Sequence, residues 1–417
     1  MKYGNDAKHS MKVKVSYAGE KLSLHISEET RVDSFAPRMV EESLSFDVFR
    51  NELEQLARTP QFRSSRLLTV VNDGHRNTPT STLIDWLSRI DETYLGRTDF
   101  LVATGTHEPP TEDHYHKIFG PFLDKVRNRV HYHSAIEDEN LFELGTDSMG
   151  EKVYINKMVR DYPAILAIGS VEPHYFAGFT GGRKSFFPGL SDMATTVRNH
   201  NMASSLDAAP LRLDGNPVAE HMQEIIDLLP LEKIIALQTV HGAENQLAGC
   251  YWGSLAGAFQ QAIAKARKIF VYQVNKVYDI ILAEILPPLD SNLYQAQKAL
   301  ENCQSAIKDG GAIIIFSECG DGIGSRFFYD LAKKWDRKRN AATDGKQYFG
   351  SHKLARVNLM SRRINIYLHS SLKPEEIRRV FYEPLDNPQD FIYSRVTKSK
   401  KSNIAVVHDA AHTVLCA

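Results

Sequence analysis

Between Gly169 and His200 the chain reads GSVEPHYFAGFTGGRKSFFPGLSDMATTVRNH, which sets His174, Lys184 and His200 on one short segment. A neutral imidazole accepts a proton near pH 7 and also ligates metals. A lysine amine in a glycine-rich turn can act as a nucleophile or a covalent attachment point. Gly178, Gly181, Gly182 and Gly189 let the backbone turn tightly and approach a ligand closely. The stretch is not a phosphate-cradling P-loop. Gly178 and Ser185 fit that pattern, but Arg183 occupies the position before the lysine that must be glycine, and no strand leads directly into Gly178.

Two further loops carry similar chemistry. His107 lies in ATGTHEPP and is a second candidate base, while Asp73 and Arg76 lie in NDGHRNTP. A guanidinium grips a carboxylate through parallel hydrogen bonds, and a nearby aspartate can orient it or a histidine. Taken singly, a loop histidine is more often solvated than catalytic, and Asp73 with Arg76 reads as a structural ion pair. Two histidines at the ends of neighbouring strands change that balance, because inverting a stereocentre requires a base on each face. His200, in the helix after the glycine-rich turn, suits a metal ligand. Far downstream, PPLDSNLYQAQKAL places Tyr294 and Gln295 four and three residues before Lys298, on one helical surface whose start suits an anion.

The elements that position these residues follow a repeating order. Leu67–Val71, Phe100–Ala103 and Ala164–Ile168 are strand-like runs, each ending in one of the three polar loops. Helical patterns follow at about Pro79–Ile90, Thr111–Phe119 and Asp192–Ser204. Strand, loop and helix in repetition imply an α/β domain with a largely parallel sheet, whose ligands bind at the carboxyl ends of the strands. The three loops are therefore expected to converge. Before them, Lys12–Tyr17 and Lys21–Ile26 alternate around Ala18-Gly19-Glu20 as a hairpin. After them come a helix at Gly253–Lys268, strands at Ile269–Val274 and Asp279–Ile285, a helix at Ser291–Lys308 and the buried strand of GGAIIIF. A strand at Ile364–Leu368, a helix at Pro374–Phe381 and a strand at Asn403–His408 complete the pattern.

The expected architecture is α/β: two α/β domains with largely parallel sheets and an interdomain active-site cleft. The N-terminal cofactor-binding and catalytic domain is expected over 1–271 and the C-terminal domain over 272–400. The terminal strand in 401–417 is free to return to either, and the basic run at 398–402 reads as a solvated loop. A length of 417 residues suits two cores. A net charge of −1 argues against nucleic-acid or anionic-membrane binding. The absence of an apolar signal core or spanning run, and four scattered cysteines (Cys250, Cys303, Cys319, Cys416), lead to the expectation of a cytoplasmic protein with reduced thiols.

Taken in order, DGHRNTP, GTHEPPT, EPHYFAGFTGGRKSFFPG with its following NH, LDGNPV at 213–218 and PLDSNLYQAQKA resemble the nickel-pincer lactate racemase family over nearly the full length. The resemblance implies a racemase or epimerase that inverts C2 of a 2-hydroxy acid by hydride abstraction and return. Its implied cofactor is a nickel-pincer nucleotide, a pyridinium thioamide mononucleotide attached covalently to Lys184, with nickel ligated by His200. It implies His107 and His174 as acid/base residues, and Asp73, Gly181 and Gly182 as cofactor neighbours. Arg76, Tyr294, Gln295 and Lys298 are implied at the substrate. Partners would be the small 2-hydroxy acid and cofactor-biosynthesis proteins. Removing the C2 hydrogen as a proton is hard beside a carboxylate, which makes a cofactor that accepts it with its electron pair chemically sensible. The chain departs from the family pattern at Glu108, where arginine is common, and at Asn77-Thr78, where proline commonly follows the arginine directly. These departures leave the particular 2-hydroxy acid open. Two other readings compete: a zinc-dependent hydrolase built on His107, His174 and His200, which leaves Lys184 and Lys298 unexplained, and a non-catalytic cofactor-binding protein.

Overall fold

The computed structural model describes residues 10–346, 348, 350–396 and 402–417, and nearly all of the basic run at 398–402 lies outside them. Two compact units divide the chain. One comprises Arg38–Ala203 with Leu211–Ile269; the other joins the described residues up to Pro37 to Ser204–Pro210 and Phe270–Ala417.

The first unit is built on a six-stranded sheet with the order Leu247–Gly253, Ile234–His241, Ala164–Ser170, Leu67–Asn72, Thr98–Ala103, Val130–Tyr132. All neighbours are parallel except Leu247–Gly253, which runs antiparallel to Ile234–His241. The central strands are near-continuous apolar runs because both of their faces are covered. The helix Thr80–Ile90 buries Thr80, Leu83, Ile84, Trp86 and Leu87 on one side. Those apolar side chains join Phe100, Phe119, Leu166 and Ile168 in one core. From Leu67–Asn72 the chain steps outward twice, to Thr98–Ala103 and Val130–Tyr132. It then crosses back to the other flank of Leu67–Asn72 with Ala164–Ser170. This reversal is a topological switch point, and the loops after its two strands diverge there to leave a crevice. Those two loops are NDGHRNTP and GSVEPH.

The second unit also has a six-stranded sheet, all parallel: Glu383–Pro384, Asn365–His369, Ile307–Phe316, Tyr278–Glu284, Asn403–Val407, Arg31–Phe35. Its membership differs from the expected 1–271 and 272–400 division. The units change over in sequence at Ile269–Phe270, and the hairpin Ser10–Tyr17 with Glu20–Ser27, and the strand Arg31–Phe35, belong with the C-terminal residues. The cause is packing. Val15, Leu24 and Ile26 of the hairpin share a core with Ile280, Leu282, Ile314, Phe316, Ile404 and Val406. The terminal strand Asn403–Val407 lies between Tyr278–Glu284 and Arg31–Phe35, so it closes this sheet and does not return to the first unit. The expected helix at Ser291–Lys308 is shorter, Leu293–Cys303, with Asn292 capping it through a side-chain oxygen that accepts from the Gln295 N–H.

All four cysteines are free thiols. Among the described residues no helix is long and apolar enough to cross a membrane.

Candidate active site

The switch-point loops are tied together by polar contacts at their roots. The Asn72 side-chain oxygen accepts from the Thr78 hydroxyl at 2.8 Å and from the Ser170 N–H at 3.3 Å. Thr78, one of the three residues that depart from the family pattern, also lies 3.0 Å from the Ser170 hydroxyl, whose O–H it can accept. Beyond these roots Arg76 reaches Glu172 at 3.3 Å, so the expected partner Asp73 is replaced by a carboxylate from the opposite loop.

Asp73 instead holds His107. Its buried carboxylate lies 2.6 Å from Nδ1 of a histidine whose side chain is 48% exposed. Burial pushes the Asp73 carboxyl up. The His107 hydrogen bond and the charges of His107, Arg76 and His75 outweigh burial and hold it below the usual carboxylate range. An ionised Asp73 accepts only, so Nδ1 of His107 carries the proton and Nε2 is its acceptor nitrogen. The GTH turn is fixed by backbone bonds from His107 N–H to Thr104 and from Gly105 N–H to Gly189. Gly74 has no room for a side chain: an added Cβ would meet the His114 ring at 2.5 Å.

His75 joins this cluster and was not singled out from the sequence, although it sits between Asp73 and Arg76. Its ring lies 4.8 Å from that of His107, and burial pushes its pKa down. Asp73, His75 and His107 are the metal-type group found among the described residues, with ligand atoms within 4.8 Å of one another. First-row ions hold such atoms at about 2 Å each, so an ion here would have to draw the residues in and break the Asp73–His107 bond. Neither His174 nor His200 belongs to this group, which removes the geometric basis of the His107, His174, His200 zinc reading.

The third loop builds a second cluster. His174 is buried; its Nδ1 accepts the Ala177 N–H at 3.2 Å and its Nε2 lies 3.2 Å from Lys184 Nζ. Lys184 stands over the Phe176 ring at 5.5 Å, and the His200 ring lies against the same phenyl at 5.0 Å. Phe176 thus gathers the lysine and the second histidine, a role that nothing in its sequence position signalled. The LDGNPV string supports this turn from behind. The Asn216 amide donates to the carbonyls of Phe176 and Arg212 at 2.9 and 3.0 Å, while its oxygen caps the helix Pro217–Asp227. Arg183, the residue that spoils the P-loop pattern, is a buried strut. It donates to the carbonyls of Ala219 and Ala177 and lies over Phe259, and burial lowers its pKa to about 10, which leaves it charged at neutral pH.

Gly181 and Gly182 have a packing reason that differs from the expected approach to a ligand. Both have positive φ, and an added Cβ would meet Val171 at 2.5 Å from the first and Phe259 at 2.6 Å from the second. The Gly182 N–H is already given to Gln238 at 2.7 Å. These glycines shape the turn that carries Lys184.

His200 lies in the last turn of the helix Met193–Asn201, which Asp192 caps by accepting from the Thr195 N–H. Before that cap, Ser191 accepts from Nε2 of His133 at 3.0 Å, and Asn156 faces Nδ1 of the same ring at 3.4 Å. His133 is buried, and burial pushes its pKa down to about 4 from 6.5. The folded state therefore resists a proton that the unfolded chain accepts. Its contribution is complete above pH 6.5 and is lost as pH falls towards 4, a difference of about 3 kcal/mol. In denaturant titrations between pH 7 and 4.5, His133→Gln is expected to flatten the decline in stability. Equal slopes for the two proteins would refute this role.

In the second unit, Tyr294, Gln295 and Lys298 occupy the first turns of Leu293–Cys303, all partly exposed. Lys353 donates to the Tyr294 carbonyl at 2.6 Å and covers its ring at 3.9 Å. Burial, with the charge of Lys298 adding to it, holds the Lys353 amine well below its usual pKa. Beneath, Arg356 grips Glu301 through two bonds of 2.7 and 2.6 Å. The helix thus presents its polar side chains above a buried ion pair of Arg356 with Glu301.

Comparison with known proteins agrees with this layout. Residues 11–209 match the model of the lactate racemase N-terminal domain and residues 275–348 that of the lactate racemase C-terminal domain. A lactate racemase from Thermoanaerobacterium thermosaccharolyticum is 27% identical over 340 residues, covering 77% of this chain and 78% of that one. Another, from Lactiplantibacillus plantarum, is 28% identical over 334 residues, covering 78% and 75%. In fold, the lactate racemase apoprotein from T. thermosaccharolyticum matches with a TM-score of 0.83 at 23% identity, over 97% of this chain and all of that one. A Thermotoga maritima protein matches with a TM-score of 0.68 at 18% identity, over 91% and 99%. With two domain models in the expected order and an α/β architecture shared with a solved member, this chain belongs to the lactate racemase family.

Proposed function

We propose that this protein is an isomerase that inverts the C2 centre of a 2-hydroxy acid, lactate or a close relative, with a nickel-pincer nucleotide on Lys184. The observation that carries the reading is the pairing of two histidines with opposite proton placement. His107 donates Nδ1–H to Asp73 and, in its neutral form, presents Nε2 as an acceptor. His174 accepts the Ala177 N–H on Nδ1, so in its neutral form Nε2 carries the proton. One ring is set to take the substrate hydroxyl proton and the other to return one, as inversion requires in either direction.

The residues fit the cofactor. Lys184 offers an amine for the thioamide and His200 an imidazole for nickel, a donor this metal accepts beside soft sulfur and carbon ligands. Both lie on Phe176. When bound, the pyridinium group supplies an electrophile for the C2 hydrogen and its bonding electrons. The chain's own groups do the rest. His107, oriented by Asp73, takes the hydroxyl proton from one enantiomer, and His174 gives a proton to the oxygen as the other forms. Arg76, steadied by Glu172, is proposed to orient the substrate carboxylate, with Tyr294, Gln295 and Lys298 as further substrate-binding residues.

The test joins mass and metal analysis to turnover. The protein, produced together with the cofactor-biosynthesis proteins of a nickel-pincer organism, should show an adduct on the peptide that contains Lys184, together with nickel. It should also interconvert D- and L-lactate, or another 2-hydroxy acid, by chiral chromatography. Loaded protein that racemises no member of a 2-hydroxy acid panel would overturn the substrate class, and absence of any adduct would overturn the cofactor.

A further inference from the structure

Asp73, His75 and His107 bring one carboxylate and two imidazoles together from two adjacent loops, with ligand atoms all within 4.8 Å of one another. Three atoms at that spacing share a point no more than about 2.8 Å from each, and zinc holds nitrogen and oxygen at about 2.1 Å. A movement of less than about 1 Å by each side chain therefore closes the set around an ion. The loop that carries two of the three is fixed: Lys117 donates to the Gly74 carbonyl at 2.8 Å, and the His114 ring packs 4.7 Å from that of His75. One Asp73 oxygen accepts the His75 N–H at 3.2 Å, while the other faces His107. Among the described residues the ring nitrogens of His75 have no hydrogen-bond partner, so its lone pair is offered without breaking a contact. Arg76, the next cation along the loop, is turned to Glu172 at 3.3 Å. His75 and His107 are exposed, which gives an ion access from solvent. Two imidazoles and a carboxylate, with the remaining positions open to water, form a donor set that suits first-row divalent ions.

We propose that Asp73, His75 and His107 form a second metal site, distinct from the nickel position at His200, and that a first-row divalent ion such as zinc bound there switches off His107 as a base. The site stands apart from the function proposed above; its inhibitory effect rests on that reading. Either nitrogen of His107 leads to the same end. An ion on Nε2 takes the lone pair that would accept the substrate hydroxyl proton. An ion on Nδ1 displaces the hydrogen held towards Asp73, and the ring carries it on Nε2 instead, which then has no lone pair to offer. The ring stays neutral in both cases, and no electron is gained or lost. The Asp73–His107 hydrogen bond competes with the ion, so the ion is held reversibly. His75 is the residue that turns a base and its orienting carboxylate into a three-donor site.

The test uses the untagged full chain, with zinc alone as the probe, at pH 7.5. Without cofactor, titration in competition with a chromophoric chelator should reveal one equivalent of zinc that His75→Asn weakens at least about tenfold, a loss that even an outer partner of a metal ligand typically causes. Asp73→Asn should weaken the same equivalent. No saturable binding, or binding that His75→Asn leaves unchanged, would overturn the proposal. In protein that carries the nickel cofactor, zinc should inhibit racemisation with the nickel content unchanged, and a chelator should restore turnover. His75→Asn alters an exposed loop side chain; it should keep zinc-free turnover and need at least about tenfold more zinc for the same inhibition. Inhibition that runs parallel to nickel loss would place the zinc at the cofactor and overturn the switch. A chain that binds zinc through His75 but racemises nothing would count against the function proposed above and leave the metal site standing.

Discussion

Lys184→Ala is expected to yield a chain with no covalent adduct at all, while His200→Ala keeps much of the organic adduct and loses nickel. The roles differ in kind. An amine makes a covalent bond that no neighbouring side chain can replace, whereas an imidazole fills one coordination position of several. Both residues sit against Phe176 on separate elements, Lys184 on the glycine-rich turn and His200 at the end of a helix capped by Asp192. Neither substitution removes a core side chain, so folding should persist. Intact mass and metal content of each purified variant decide the matter. Full adduct mass in Lys184→Ala would remove the pincer reading, and undiminished nickel in His200→Ala would remove that residue as the ligand.

Replacing His107 or His174 alone is expected to slow racemisation in both directions by a factor on the order of 10²–10⁴, the usual contribution of a positioned acid or base. Each enantiomer's oxidation is the reverse of its own formation, so loss of either histidine stops the cycle for both. A slow half-reaction that releases 2-keto acid should survive in one of the two variants. Asp73→Asn should resemble the His107 variant in milder form, since an amide can no longer fix Nδ1–H on that ring. The isotope experiment is independent of the variants: deuterium at C2 should stay on the substrate carbon during racemisation. Rapid washout into solvent would mean that C2 loses a proton, and the proposed electron-pair transfer would be wrong even with the site intact.

The local pattern of the chain was sufficient for the strands Leu67–Asn72, Thr98–Ala103 and Ala164–Ser170 and for the polar loop after each. Apolar runs of strand length followed by amphipathic helices leave little freedom of type, and parallel topology places their carboxyl ends together. The residue types of the site were legible for the same reason: a lysine among glycines and histidines at strand ends announce chemistry from their neighbours in sequence. The partners of those residues were decided only by tertiary structure. Asp73 reads as the natural mate of Arg76 three residues on, yet it pairs with His107, and Arg76 with Glu172, because the switch point sets opposite loops face to face. Gly181 and Gly182 look like space left for a ligand, and the space is filled by Val171 and Phe259. The hairpin and Arg31–Phe35 precede the first unit in sequence but belong to the second, since their apolar face matches a core assembled some 250 residues later. Sequence determined which chemical groups this protein carries and the kind of element each stands on. Which group faces which depended on long-range packing of strands and loops, whose free energy no local window contains.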